Sequence, residues 1–119
     1  MTEPSEPYRR DFDALRRRFL AEVPEKIRAI REAVECTERG SHPREEMEAL
    51  CQLAHRLVGS AAIFGLERLS ASARTLEDRL AALLKAAQGP GSAGAEPELM
   101  GLVEELERAW SRNSMRKNL

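Results

Sequence analysis

His55 stands in the stretch "LAHRLVGSAAIFG", residues 53–65, and Gly59 follows it by four positions. The neighbouring residues favour helix, where an interior Gly costs about 0.8–1.0 kcal/mol relative to Ala. The missing side chain therefore needs a reason. On a helix, Val58, Gly59 and Ala62 fall on the same side as His55 by three- and four-residue steps. An imidazole beside bare backbone and small apolar side chains is one that another protein can approach closely. If an acceptor fixes one ring nitrogen, the other keeps an exposed basic lone pair, the arrangement of a nucleophilic histidine.

The spacing supplies an acceptor. Two apolar stripes flank Gly65, Met47 to Phe64 before it and Leu66 to Leu83 after it. Joined by so short a link, they predict an antiparallel helical hairpin. Partners across a turn near Gly65–Leu66 have numbers adding up to roughly 131–132. His55 then stands level with Glu77, whose carboxylate can accept Nδ1–H and leave Nε2 free. His42, next to Pro43 and without a carboxylate at such a spacing, reads as a loop residue.

Other chemistries find little support. Two distant histidines without an acidic cluster at ligand spacing make no metal site. Cys36 and Cys51 lack metal-ligand spacing and read as reduced, small apolar residues, which suits a cytoplasmic protein. No Gly-rich phosphate loop is present, so ATP binding is not expected. A formal charge of −1 offers no basic field for nucleic acid. No apolar run approaches the roughly 20 residues that span a bilayer.

The elements that must position His55 are helices. The chain has 119 residues, 4% of them aromatic and 33% charged, with Leu and Ala abundant. Such side chains lose little rotamer freedom in a helix. Phe12, Leu15, Phe19, Val23, Ile27, Ile30 and Val34 recur at three- and four-residue spacings, and the phase survives Pro24. This predicts one kinked helix or two helices meeting there. Gly40 can end that segment, Ser41 or His42 can cap the next, and Pro43 suits a first turn. A last helix carries Leu99, Leu102, Val103, Leu106 and Trp110. Phe12, Phe19, Phe64 and Trp110 are the expected large core fillers. The predicted fold is all-α, an antiparallel up-down four-helix bundle with an additional or kinked N-terminal helix. Residues 1–119 form one domain, with an N-terminal tail over 1–7, a flexible loop over 88–97 and a C-terminal tail over 112–119.

"AHRLVGSAAIFGLERLSASARTLEDRL", residues 54–80, resembles the signature of histidine-containing phosphotransfer (Hpt) domains. That family carries a helical "AHxLKGxA", a short turn, then "G…L…LE". Ala54, His55, Leu57, Gly59, Ala61, Gly65, Leu69, Leu76 and Glu77 match, and "FLAEVPEKIRAIREA" is similar to the family's first helices. The resemblance implies that His55 is the phosphoryl acceptor and Glu77 the group that orients it. One departure stands out. Val58 occupies the position of a family lysine thought to help neutralise the phosphoryl group. Candidate substitutes are Arg56, turned about 100° from His55 by helix geometry, and Arg74, level with Val58 across the hairpin. Arg74 can instead pair with Asp78 four residues on.

The resemblance implies a monomeric cytoplasmic phosphocarrier without kinase activity of its own. It would relay a phosphoryl group between aspartates of response-regulator receiver domains, downstream of a sensor histidine kinase. Val58, Gly59 and Ala62 would form the docking surface. No cofactor is expected on this chain, with Mg²⁺ on the receiver, and neither nucleic acid nor membrane is a partner. The alternative is an unphosphorylated helical module that binds a kinase or receiver domain through the same patch. The opening Met and short tail favour a free-standing protein over a domain cut from a kinase.

Overall fold

Four helices follow one another in the computed structural model, which describes residues 6–38, 44–86 and 96–117. They are α1 (Glu6–Glu38), α2 (Arg44–Ile63), α3 (Glu67–Ala86) and α4 (Glu96–Lys117), and no strand occurs among the described residues. Each helix packs on the next, and α4 closes the ring on α1. This is an all-α four-helix bundle.

Each helix buries one stripe. Val23, Ile27, Ile30 and Val34 of α1 meet Leu50, Ala54, Leu57 and Ala61 of α2, Leu69, Ala73, Leu76 and Leu80 of α3, and Leu99, Val103 and Leu106 of α4. A fully buried aliphatic side chain of this size contributes about 1.5–3 kcal/mol, so these stripes supply most of the driving force. Arg31 Nη1 links α1 to α4, donating to Glu107 at 2.8 Å.

Pro24 does not divide α1. One helix runs through it. Pro24 lies on the exposed side of α1. The first apolar positions also differ from expectation. Phe12 and Leu15 are exposed, Leu15 at 54%, while Phe19 is buried and Phe64 and Trp110 are half-buried. The reason is length. The 33 residues of α1 span about 50 Å and the 20 of α2 about 30 Å. The first turns of α1 therefore outrun the helices they could pack on.

The ends also run longer than read from the sequence. Glu6 and Pro7 belong to α1, Glu96 and Pro97 to α4, and α4 continues to Lys117 through most of the segment expected as a tail. The rest of the expected loop, residues 88–95, lies outside the described residues, as do residues 1–5, Gly40, Ser41 and His42.

Candidate functional site

The site begins at the α2–α3 turn. Gly65 has φ +81°, the left-handed conformation that side chains disfavour. Leu66 N–H donates to Ala61 O at 2.8 Å and Gly65 N–H to Ala62 O at 3.2 Å. Those two bonds are the Schellman pattern of a helix terminus, with buried Leu66 packed beside Ala61. Arg16 Nε adds a bond to Phe64 O at 3.0 Å, and Phe64 packs between Phe12 and Phe19. So defined a stop leaves α3 one way to return along α2.

That return brings Glu77 to His55. Nδ1 and Oε2 are 2.6 Å apart. An ionised carboxylate can only accept, so Nδ1 is the donor, and in the neutral ring Nε2 keeps its lone pair. The imidazole side chain is 73% exposed and the carboxylate 24%. The carboxylate is thus sheltered and the imidazole presented to solvent. One turn earlier on α2, Cys51 Sγ lies 3.9 Å from Glu77 O. Burial, then the nearby charges of Glu77 and Asp78, push the Cys51 thiol above its ordinary pKa.

The family model of the Hpt domain matches residues 14–114, nearly the whole bundle. The chain belongs to the Hpt domain family. Hpt domains are phosphocarriers of phosphorelays, acting with response regulators and kinases rather than as kinases. Neither the comparison with curated proteins nor that with solved structures returns a match.

The other residues singled out in the sequence of this Hpt domain fall into distinct places. Gly59 and Ala62 are exposed, and a Cβ added at Gly59 would meet nothing within 4 Å. Nothing inside the bundle requires that glycine. Val58 is a correction: expected on the approach face, it is 7% exposed and packs in the core. Three residues after His55 the helix has turned back by about 60°, enough to bring Val58 onto the α3-facing edge of the stripe. There its carbonyl accepts a 2.8 Å bond from Ser70 Oγ.

The two arginines part company. Arg56 faces α1, lining a small cavity with Phe19, Lys26 and Ile30. Arg74 is exposed on α3, four residues after Ser70 and three before Glu77, both of which touch α2. Its helix face is therefore the one beside the imidazole. The alternative Arg74–Asp78 pair is not formed, and no partner of Arg74 is seen among the described residues.

Among the described residues no group of three His, Cys, Asp or Glu side chains could hold a metal ion. Among them, no helix is long and apolar enough to cross a membrane. Sequence reasoning missed Arg16, Ser70 and the contact of Cys51. Only Ser70 left a trace: a small polar residue opposite the buried stripe of α2, on the same face of α3 as Glu77.

Proposed function

We propose that this Hpt domain relays a phosphoryl group between aspartates of response-regulator receiver domains, with His55 as the acceptor. Nε2 attacks the phosphorus of an aspartyl phosphate in line. The N–P bond forms, the acyl P–O bond breaks, and the aspartate carboxylate leaves with the electron pair. The reverse displacement on a second receiver returns the group to a carboxylate. As Nε2 bonds to phosphorus the ring gains positive charge, and the Glu77 carboxylate at Nδ1 stabilises it. Positioning and charge neutralisation carry most of such a transfer. Mg²⁺ would belong to the receiver, where it neutralises phosphoryl oxygens. Gly59 and Ala62 would let the receiver surface come down on the imidazole, and Arg74 is the favoured cation for the phosphoryl oxygens.

The observation that carries this reading is the 2.6 Å contact between an exposed imidazole and a half-buried carboxylate. A module that only binds partners would have no use for a fixed tautomer. The decisive experiment incubates the protein with a panel of phosphorylated receiver domains. Label should appear on His55 as an acid-labile, base-stable phosphoramidate. It should vanish in His55→Gln and remain in His42→Gln. Label that persists in His55→Gln, or that survives acid but not base, overturns the proposal.

A further inference from the structure

The His55–Glu77 contact depends on where α3 sits along α2. The Gly65 turn fixes the return of α3 at one end of the hairpin, and further along, at Glu77, the apolar core holds the two helices together. Ala54 and Ala61 of α2 and Ala73 of α3 lie in the core between the two helices. They lie there with the leucines Leu50, Leu57, Leu69, Leu76 and Leu80, and apolar packing, being non-directional, does not by itself hold a carboxylate to hydrogen-bond geometry. The tolerance at the site is small. A contact of 2.6 Å ceases to be a hydrogen bond by about 3.6 Å. A one-residue slide amounts to about 1.5 Å.

Two directional bonds cross the seam beside the site, and they run in opposite directions. Ser70 Oγ on α3 donates to Val58 O on α2 at 2.8 Å. Cys51 Sγ on α2 donates to Glu77 O on α3, at 3.9 Å. Along α2 they bracket His55, one a turn before it and one a turn after. Each ends on a backbone carbonyl, whose place along its helix no rotamer change can alter. The second ends on the backbone of Glu77 itself.

We propose that Ser70 and Cys51 are positioning residues that fix the axial register of α3 on α2, and so hold the Glu77 carboxylate at His55 Nδ1. This rests on the reading of His55 as acceptor only for its functional consequence. Its structural content is the tautomer of one imidazole. The Cys51 thiol can serve because burial and the neighbouring carboxylates keep it protonated, hence a donor.

The test measures side-chain ¹⁵N shifts of His55, which report the share of rings protonated at Nδ1, together with the transfer rate from a phosphorylated receiver. Ser70→Ala and Cys51→Val should each move the ring toward a tautomer mixture and slow transfer about five-fold. Ser70→Thr, which keeps the hydroxyl, should restore both. In a Glu77→Ala background neither substitution should change the ring or the rate further, because the clamp acts only through that carboxylate. An unaltered His55 tautomer in the folded Ser70→Ala/Cys51→Val double variant overturns the proposal. So does an equal loss of rate with Glu77 absent. If Ser70→Ala does not fold, Cys51→Val examines the same register from the other helix. If no protein, wild type included, takes up phosphate, the acceptor reading fails while the ¹⁵N shifts still decide the clamp.

Discussion

Gly59 allows function and stability to be pulled in opposite directions. It lies in the interior of α2, exposed, and a Cβ there meets no atom within 4 Å. Replacing it by Ala should therefore recover the helix cost of glycine, about 0.8–1.0 kcal/mol, with no clash to offset it. For a domain of roughly 100 residues, 1 kcal/mol moves Tm by about 4–8 °C. Gly59→Ala should melt higher by that order, and Gly59→Glu should stay fully helical. Transfer should move the other way, falling several-fold with the methyl and nearly to nothing with the carboxylate, which stands one turn from His55. Thermal unfolding by circular dichroism gives the first quantity. The initial rate of phosphoryl transfer from a labelled receiver gives the second. Gly101 supplies the control, since it too is exposed on a helix with nothing within 4 Å, but on α4. Gly101→Ala should stabilise similarly and leave transfer alone. A Gly59→Glu protein that folds and transfers at the wild-type rate would refute the idea that this glycine clears a path for the partner.

Two further outcomes are expected. Arg74→Ala should slow transfer or shorten the lifetime of phosphorylated His55 several-fold, since an exposed charge-assisted contact contributes on the order of 1 kcal/mol. Arg56→Ala should do less, and a larger loss there would move the role to Arg56. Val58→Lys in the Arg74→Ala protein should recover part of the rate, provided its four-carbon stem runs out along the α2/α3 edge to bring the ammonium to the surface. Alkylation with iodoacetamide should separate the two thiols, exposed Cys36 reacting first and half-buried Cys51 lagging. Because the Cys51 pKa is raised, its thiolate forms only as pH climbs above the ordinary thiol range. Modification at Cys51 should accelerate there, and rapid labelling of Cys51 at neutral pH by mass spectrometry would contradict this.

The pairing of His55 with Glu77 was legible because a tight turn is rigid arithmetic. With Gly65 as the breaker and the apolar phase known on both sides, partners across the hairpin follow by counting. Val58 was misplaced for a different reason. Periodicity marks the centre of a buried stripe but not its width, and α2 buries Val58 beside Leu57. Phe12 and Leu15 carry the same signal as Val23, yet both stay exposed, Phe12 touching only the edge of the bundle at Phe64, since amphipathicity says nothing about how far the partner helix extends. Ser70 left only its place on the Glu77 face of α3 as a trace, and nothing marked Cys51 as a cross-helix donor. A side-chain bond to a backbone carbonyl depends on axial offset at the ångström scale, and no residue pattern encodes that.

The Schellman stop at Gly65 also makes the chain unevenly tolerant of changes in length. His55 and Glu77 are separated in sequence only by the end of α2, this turn and the first half of α3. One residue inserted between Phe64 and Leu66 would advance every later position of α3 by about 100° and 1.5 Å. Glu77 would swing away from the imidazole and a neighbour would take its place. An insertion between α1 and α2, or between α3 and α4, does not fall between His55 and Glu77 at all. Insertions and deletions compatible with activity should therefore gather in those two connections, and the α2–α3 turn should keep its length even where its residues change.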